Sequence, residues 1–266
     1  MNNKIIFLSV FLILSACAKV PLTGRKQFIA IPGNEINALG VDTYKQVINE
    51  TGLSKNQQYK DQVDRVGVRI TAAVEKYLSQ NNLLNRIDGY KWEYNVLTSK
   101  EMNAFCLPGG KIAFYEGIMP VCQDDDGVAV VMSHEIAHAI AQHGNERMSQ
   151  ALLVNMGGTA LSVALANEPA MTQNLAMAAF GLGSQVGVML PYSRLHESEA
   201  DELGLYFMAM AGYNPQSAPE FWNRMLKQGG ERPPEFLSTH PDPENRIESL
   251  NSHMPKAMEY YEQNKP

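Results

Sequence analysis

The stretch "VVMSHEIAHAIAQHGNERMS", residues 130–149, carries three of the chain's six histidines inside what reads as one helix. His134 and His138 are four residues apart, so a helix places their imidazoles one turn apart on the same face. Glu135 stands beside the first of them. This H-E-x-x-H spacing suits two imidazoles on one zinc ion and a carboxylate base for an attacking water. His143 lies nine residues past His134, close to half a turn out of phase. It reads as a structural or solvated histidine.

A zinc site of this kind needs a third protein ligand and one open position. The metzincin pattern would need Gly at 141 and His at 144, where the chain has Ala141 and Gly144. A carboxylate on a second helix is the remaining common choice, and "HESEADELG", residues 196–204, offers Glu197, Glu199 and Glu202. Glu197 and Asp201 are four apart and share a face, whereas Glu199 points away from it. The phase favours Glu197 as ligand over Glu199, with Asp201 holding a ligand histidine by its second nitrogen.

Around these motifs the periodicity is mostly helical. Residues 34–51 and 58–78 read as helices, the second with Val63, Val66, Ile70, Ala73 and Val74 on one face. The period then shortens in "YKWEYNVLTS" and "MNAFCLPGGKIAFYEGIM", which read as strands joined by a turn at Pro108-Gly109-Gly110. Asp124, Asp125 and Asp126 mark the start of the His134 helix, where a helix dipole favours anions. Residues 151–190 are rich in Ala, Gly, Met and Leu and are interrupted by "NEPAMTQN". They read as two buried or groove-lining helices rather than membrane spans, with a membrane-dipping pair as the alternative. A helix ending at Gly212 follows, then one beginning near Pro215, and a last one with Asp242 as N-cap and Pro243 at its first position. The expected fold is α+β and predominantly helical, with a small antiparallel sheet next to the H-E-x-x-H helix. Residues 34–266 read as one domain.

The N-terminus reads separately. An apolar run of ten, Ile5 to Leu14, is too short to cross a bilayer and reads as a secretory signal over residues 1–16. Its end, "LSAC", resembles a bacterial lipobox, which implies lipidation of Cys17, and Ala18 implies the outer membrane. Residues 17–33 form an extended leader. In an oxidising compartment Cys106 and Cys122 read as a disulfide, with two separate buried thiols as the alternative. A net charge of −6 with no basic stripe argues against nucleic acid as a partner.

In order along the chain stand "NAFCLPGGKIAFYEGIM", "HEIAHAIAQHGNER", "YSRLHESEAD", "AGYNP" and "STHPDPENR". Together they resemble the zinc peptidase family that holds HtpX and the CAAX prenyl protease, and within it the periplasmic BepA- and LoiP-like members. The resemblance covers residues 95–250 well and 20–95 more loosely. Cys106 departs from the small residue expected there. The resemblance implies a zincin-like peptidase domain, one zinc per chain on His134, His138 and Glu197, and Glu135 as general base. It also implies that the strand carrying Asn103, Ala104 and Phe105, or its neighbour, is the edge on which an extended substrate binds. His240 is implied to act at the metal, as a plug or on the transition state, with Arg246 nearby; a loop histidine bonded only to backbone is the plain alternative. Expected substrates are misfolded or misassembled envelope proteins. Two rivals are a chaperone-like module that keeps the fold but cleaves little and a metal-storage lipoprotein. Glu135 and Glu197 count against the first, and Glu135 against the second.

Overall fold

The structure, a computed structural model, describes residues 17–168, 170–185, 189–228, 236–237, 240 and 243–265. The signal segment and Asp242 fall outside the described residues. In chain order the strands are β1 (Cys17–Lys19), β2 (Lys26–Phe28), β3 (Glu93–Leu97), β4 (Ala104–Leu107) and β5 (Lys111–Tyr115). The helices are α1 (Gly33–Thr51), α2 (Gln57–Gln80), α3 (Met119–Cys122), α4 (Asp125–Ile140), α5 (His143–Ala164), α6 (Ala170–Ser184), α7 (Leu190–Met210), α8 (Ser217–Lys227) and α9 (Pro243–Asn264). The chain divides into two compact units. One comprises Gly33–Ala141 and His196–Pro266, the other Met1–Pro32 and Gln142–Leu195.

The first unit is built on α2, α4 and a three-stranded sheet. Val63, Val66, Ile70, Val74 and Leu78 recur at helical spacing and form the buried face of α2, against which α4 and β3 pack. The sheet order is β3-β5-β4. β4 and β5 form the expected hairpin, antiparallel from Ala104↔Phe114 to Leu107↔Lys111. Gly109 and Gly110 turn it with φ of 87° and 79°, a region that glycine enters without a Cβ clash. β3, however, pairs parallel with β5 from Glu93↔Lys111 to Leu97↔Tyr115, so the sheet is mixed rather than antiparallel. The reason is visible in β5, whose residues Lys111, Ile112, Ala113 and Phe114 are all buried. A strand buried on both faces belongs in the middle of a sheet and takes a partner on each edge. Tyr44 of α1 packs on Leu97 and Ala113, and its hydroxyl donates to the Ile112 carbonyl at 3.0 Å.

α4 is buried on every side: thirteen of its sixteen residues are inaccessible, including Ser133, His134 and Glu135. Asp124 caps it, accepting from the Gly127 N–H at 2.9 Å. The helix stops at Ala141 because Gln142 takes φ +57°, and His143 opens α5. The single helix expected over 130–149 is therefore two. α7 carries the "HESEADELG" motif and lies close to α4. A Cβ built on Gly204 would stand 2.9 Å from the His134 backbone nitrogen, so glycine permits this approach.

In the second unit, β1 and β2 pair antiparallel from Cys17↔Phe28 to Lys19↔Lys26. The leader is fastened to α5. Arg25 donates to both Glu146 carboxylate oxygens at 2.9 and 2.7 Å, the Ala30 N–H donates to Ser149 Oγ, and Asn145 donates to the Ile31 carbonyl. Bidentate pairing of this kind is among the stronger charged contacts. α5 and α6 pack together, with the Phe180 ring over Gly157 and Gly158. The helices expected over 151–190 are present, but they are not buried: α6 buries no residue at all. Among the described residues no helix is long and apolar enough to cross a membrane.

Candidate metal centre

One helix turn of α4 presents His134 and His138, and one turn of α7 presents Glu197 and Asp201. The close approach at Gly204 brings the two together. His134 Nε2 and His138 Nε2 are 3.1 Å apart, and each stands 3.4 Å from a different Glu197 oxygen. His240 joins them: its Nδ1 is 3.2 Å from His134 Nε2 and 2.9 Å from Glu197 Oε2. One donor atom each from His134, His138, Glu197 and His240 lies within 4.8 Å of all the others. Donors about 2.0–2.1 Å from a shared zinc in a tetrahedral arrangement are about 3.3 Å apart. The donor set and its spacing therefore fit zinc. Glu199, the alternative ligand, is buried but does not belong to this group.

Behind the donors is a layer that fixes them. Asp201 Oδ1 stands 2.9 Å from His134 Nδ1, so with the proton on Nδ1 the Nε2 lone pair faces the other donors. Arg246, itself buried, donates to Asp201 at 2.6 Å and to Glu197 at 3.0 Å. Its guanidinium lies 3.9 Å over the Trp222 ring; Trp222 stacks on Phe236, and Phe236 stacks on His240 with centroids 4.5 Å apart. Trp222, Phe236 and Gly204 were not singled out in the sequence. Ala218, Phe221, Trp222 and Met225 did show α8's buried face at helical spacing, but periodicity does not say what that face meets.

The electrostatics follow from burial and these partners. Burial works against a charged His134, but hydrogen bonds to Asp201 and Glu197 outweigh it and raise the imidazole to about 9. Burial also pushes the Glu197 carboxyl up, yet His138, His134 and His240 surround it and hold it far below the usual carboxylate range. Glu135 is raised, chiefly by burial, against the opposing pull of His240 and His134. It stands 3.5 Å from His240 Nε2, and the Cys106 N–H donates to it.

That last bond places β4 beside Glu135, and among the described residues β4 is an edge strand that pairs only with β5. Asn103, Ala104 and Phe105 thus lead along a sheet edge to the donor cluster. The expected disulfide is absent: Cys106 and Cys122 are both free thiols. Cys106 meets α4 at Glu135, while Cys122 packs under Gly127 at the helix start. Eight residues of helix, a rise of roughly 12 Å, separate these two contact points, so the two cysteines meet different parts of α4. His143, on α5, is buried and is not a member of the donor group.

The model of peptidase family M48 matches residues 55–254. The chain belongs to this family. It is 34% identical over 256 residues to the mitochondrial metalloendopeptidase OMA1 of Saccharomyces cerevisiae, covering 92% of this chain and 71% of that one. The OMA1 of Schizosaccharomyces pombe is 31% identical, over 90% of this chain and 66% of its own length. The beta-barrel assembly-enhancing protease of Escherichia coli is 29% identical over 59% of this chain and 33% of its own. Family and donor set together make this M48 chain a zinc metalloendopeptidase of predominantly helical α+β fold.

Proposed function

We propose that the chain is a lipoprotein of the bacterial envelope, held through Cys17 at the outer membrane facing the periplasm, that hydrolyses misfolded or misassembled envelope proteins. The reading places it with the BepA- and LoiP-like members of the family. It is supported by the apolar run and "LSAC" that precede Cys17, and by the similarity to the Escherichia coli protease.

Bound by His134, His138 and Glu197, zinc supplies Lewis-acid polarisation of the scissile carbonyl and lowers the pKa of the attacking water. Glu135 accepts the proton of that water and passes it to the leaving amine; its raised pKa suits both tasks. Asp201 holds the proton on His134 Nδ1, and Arg246 holds Glu197 and Asp201 in register. The outer edge of β4 offers backbone groups to an extended chain, a mode that reads main chain more than side chains and suits unfolded substrates.

His240 carries the regulatory part of the proposal. Its Nδ1 lies among the donors, where catalysis needs an open position, and its Nε2 faces Glu135. The Phe236 N–H also donates to the Met102 carbonyl at 3.1 Å, just before the β4 edge. Blocking suits this geometry better than transition-state assistance. His240→Ala should raise basal peptidase activity with zinc content unchanged; a fall in kcat at constant KM would favour the assisting role. Envelope proteomics with wild type and Glu135→Gln tests the substrate class: misassembled envelope proteins should accumulate with the variant, and an unchanged profile would remove that assignment.

A further inference from the structure

The Met148–Leu182 span holds eight large apolar side chains that are at least 40% exposed, more than the rest of the described chain together. They are ordered. On α5, Leu152, Met156 and Val163 stand at i, i+4 and i+11; on α6, Met171, Leu175 and Leu182 repeat that spacing. Each helix therefore carries an outward apolar stripe. Exposed apolar stripes of this kind are candidate interaction surfaces.

The charge of the same unit is unlike that of the chain. Between Arg147 and Arg194 the only charged residue is Glu168, near the turn joining α5 to α6. The described residues of the unit hold five basic residues (Lys19, Arg25, Lys26, Arg147, Arg194) against two acidic ones, in a chain of net charge −6. Apolar stripes on a positively charged unit suit an anionic lipid surface, where helices lie with their apolar faces at the headgroup–acyl boundary. The N-terminal chain selects this occupant over another protein. Ile5 to Leu14 and Cys17 lead directly into β1, and the β1–β2 leader is clamped to the first turn of α5 by Arg25 and Glu146.

We propose that the α5–α6 hairpin is a monotopic membrane-docking element that seats in the surface of an anionic bilayer through the α6 stripe of Met171, Leu175 and Leu182, which lies opposite Phe180 and so faces away from α5. The choice of occupant rests on the envelope reading above. Neither helix spans the bilayer, so the hairpin adds to a lipid anchor the second attachment that stable seating requires.

The test uses the full chain with Cys17→Ser throughout, so that no lipid is attached. A fluorophore sensitive to polarity is placed on Leu175→Cys or Met171→Cys, with Lys45→Cys, in the other unit, as control. Cys122 is buried and Cys106 half-buried, so each labelled protein is compared with one that carries no added cysteine. Vesicles of phosphatidylethanolamine and phosphatidylglycerol should shift emission to the blue and raise it at least twofold at 171 and 175, but not at 45. Quenching by a spin-labelled acyl chain should follow the same pattern. Met171→Glu with Leu182→Glu should abolish the change at 175 and leave cleavage of a soluble peptide intact. No change with vesicles overturns the proposal. A change that instead follows protein concentration assigns the stripes to a second copy, and one produced only by a reduced, unfolded protein assigns them to substrate; either overturns it. Failure of the lipoprotein reading is a separate result, in which mass spectrometry of the wild-type protein finds no acyl chain on Cys17.

Discussion

α4 and α6 are similar in composition and opposite in environment. Both are short and rich in alanine and large aliphatics, though α4 carries Asp125, Asp126 and Glu135 and α6 carries no charge. α4 buries thirteen residues, with His134 and Glu135 among them, and α6 buries none. Apolarity in a helix thus reports a demand for cover without naming what covers it. For α4 the cover is α2, β4, α7 and α8, and it is dense enough to hold two imidazoles and two carboxylates in fixed register.

The largest effects should come from breaking that register. Glu197→Ala should remove most of the zinc measured by metal analysis and with it the activity, whereas Glu199→Ala should leave the metal bound. Retention of zinc by the first and loss by the second would refute the ligand assignment. Glu135→Gln should keep the zinc and lower kcat by about 10²–10⁴-fold, since it removes a base and not a ligand.

Next are changes of one side chain made in both environments. Ile140→Ala in α4 should cost about 2–5 kcal/mol by urea unfolding, because it opens a cavity in a closed core. Leu175→Ala in α6 should stay within about 0.5 kcal/mol in the absence of lipid. Comparable losses at the two positions would mean that α6 is covered in solution.

Glycine gives a finer test, because the sign itself should invert. Gly204→Ala places a methyl group against the His134 backbone and should destabilise by about 1–3 kcal/mol. Gly181→Ala meets nothing within 4 Å and should stabilise α6 by about 0.5–1 kcal/mol. The smallest signal is chemical. Burial pushes both the Cys106 and the Cys122 thiol up, so alkylation of native protein near neutral pH should be slow. Unfolded without reductant, both should react; finding neither reactive would restore the disulfide.

The parts of the site legible in the sequence are those fixed by helical phase. Four-residue spacings in α4 and α7 gave the His134–His138 pair and the Glu197–Asp201 pair, because each depends on one helix alone. What depends on a meeting between elements was harder to read. The break at Gln142 is one left-handed residue in an otherwise helical pattern. β5 in the middle of the sheet required a long-range parallel pairing with β3, and the loop length between Cys106 and Cys122 concealed the stretch of α4 that separates them. Residues 151–190 were read as buried or groove-lining from their apolarity; α6 buries no residue, while Val154, Gly158, Met177 and Phe180 do line a cavity between α5 and α6.

If His240 blocks the centre, Phe236 and His240 act as an inhibitor joined to its own target, and its strength is a local concentration. Short tethers give effective concentrations on the order of millimolar. A free peptide of modest affinity loses that contest for the Met102 carbonyl and the β4 edge. A long, disordered chain that touches the enzyme at several points raises its own local concentration and displaces the tether. The backbone bond from Phe236 to Met102 would then make multivalency, more than residue identity, the property by which a substrate is admitted.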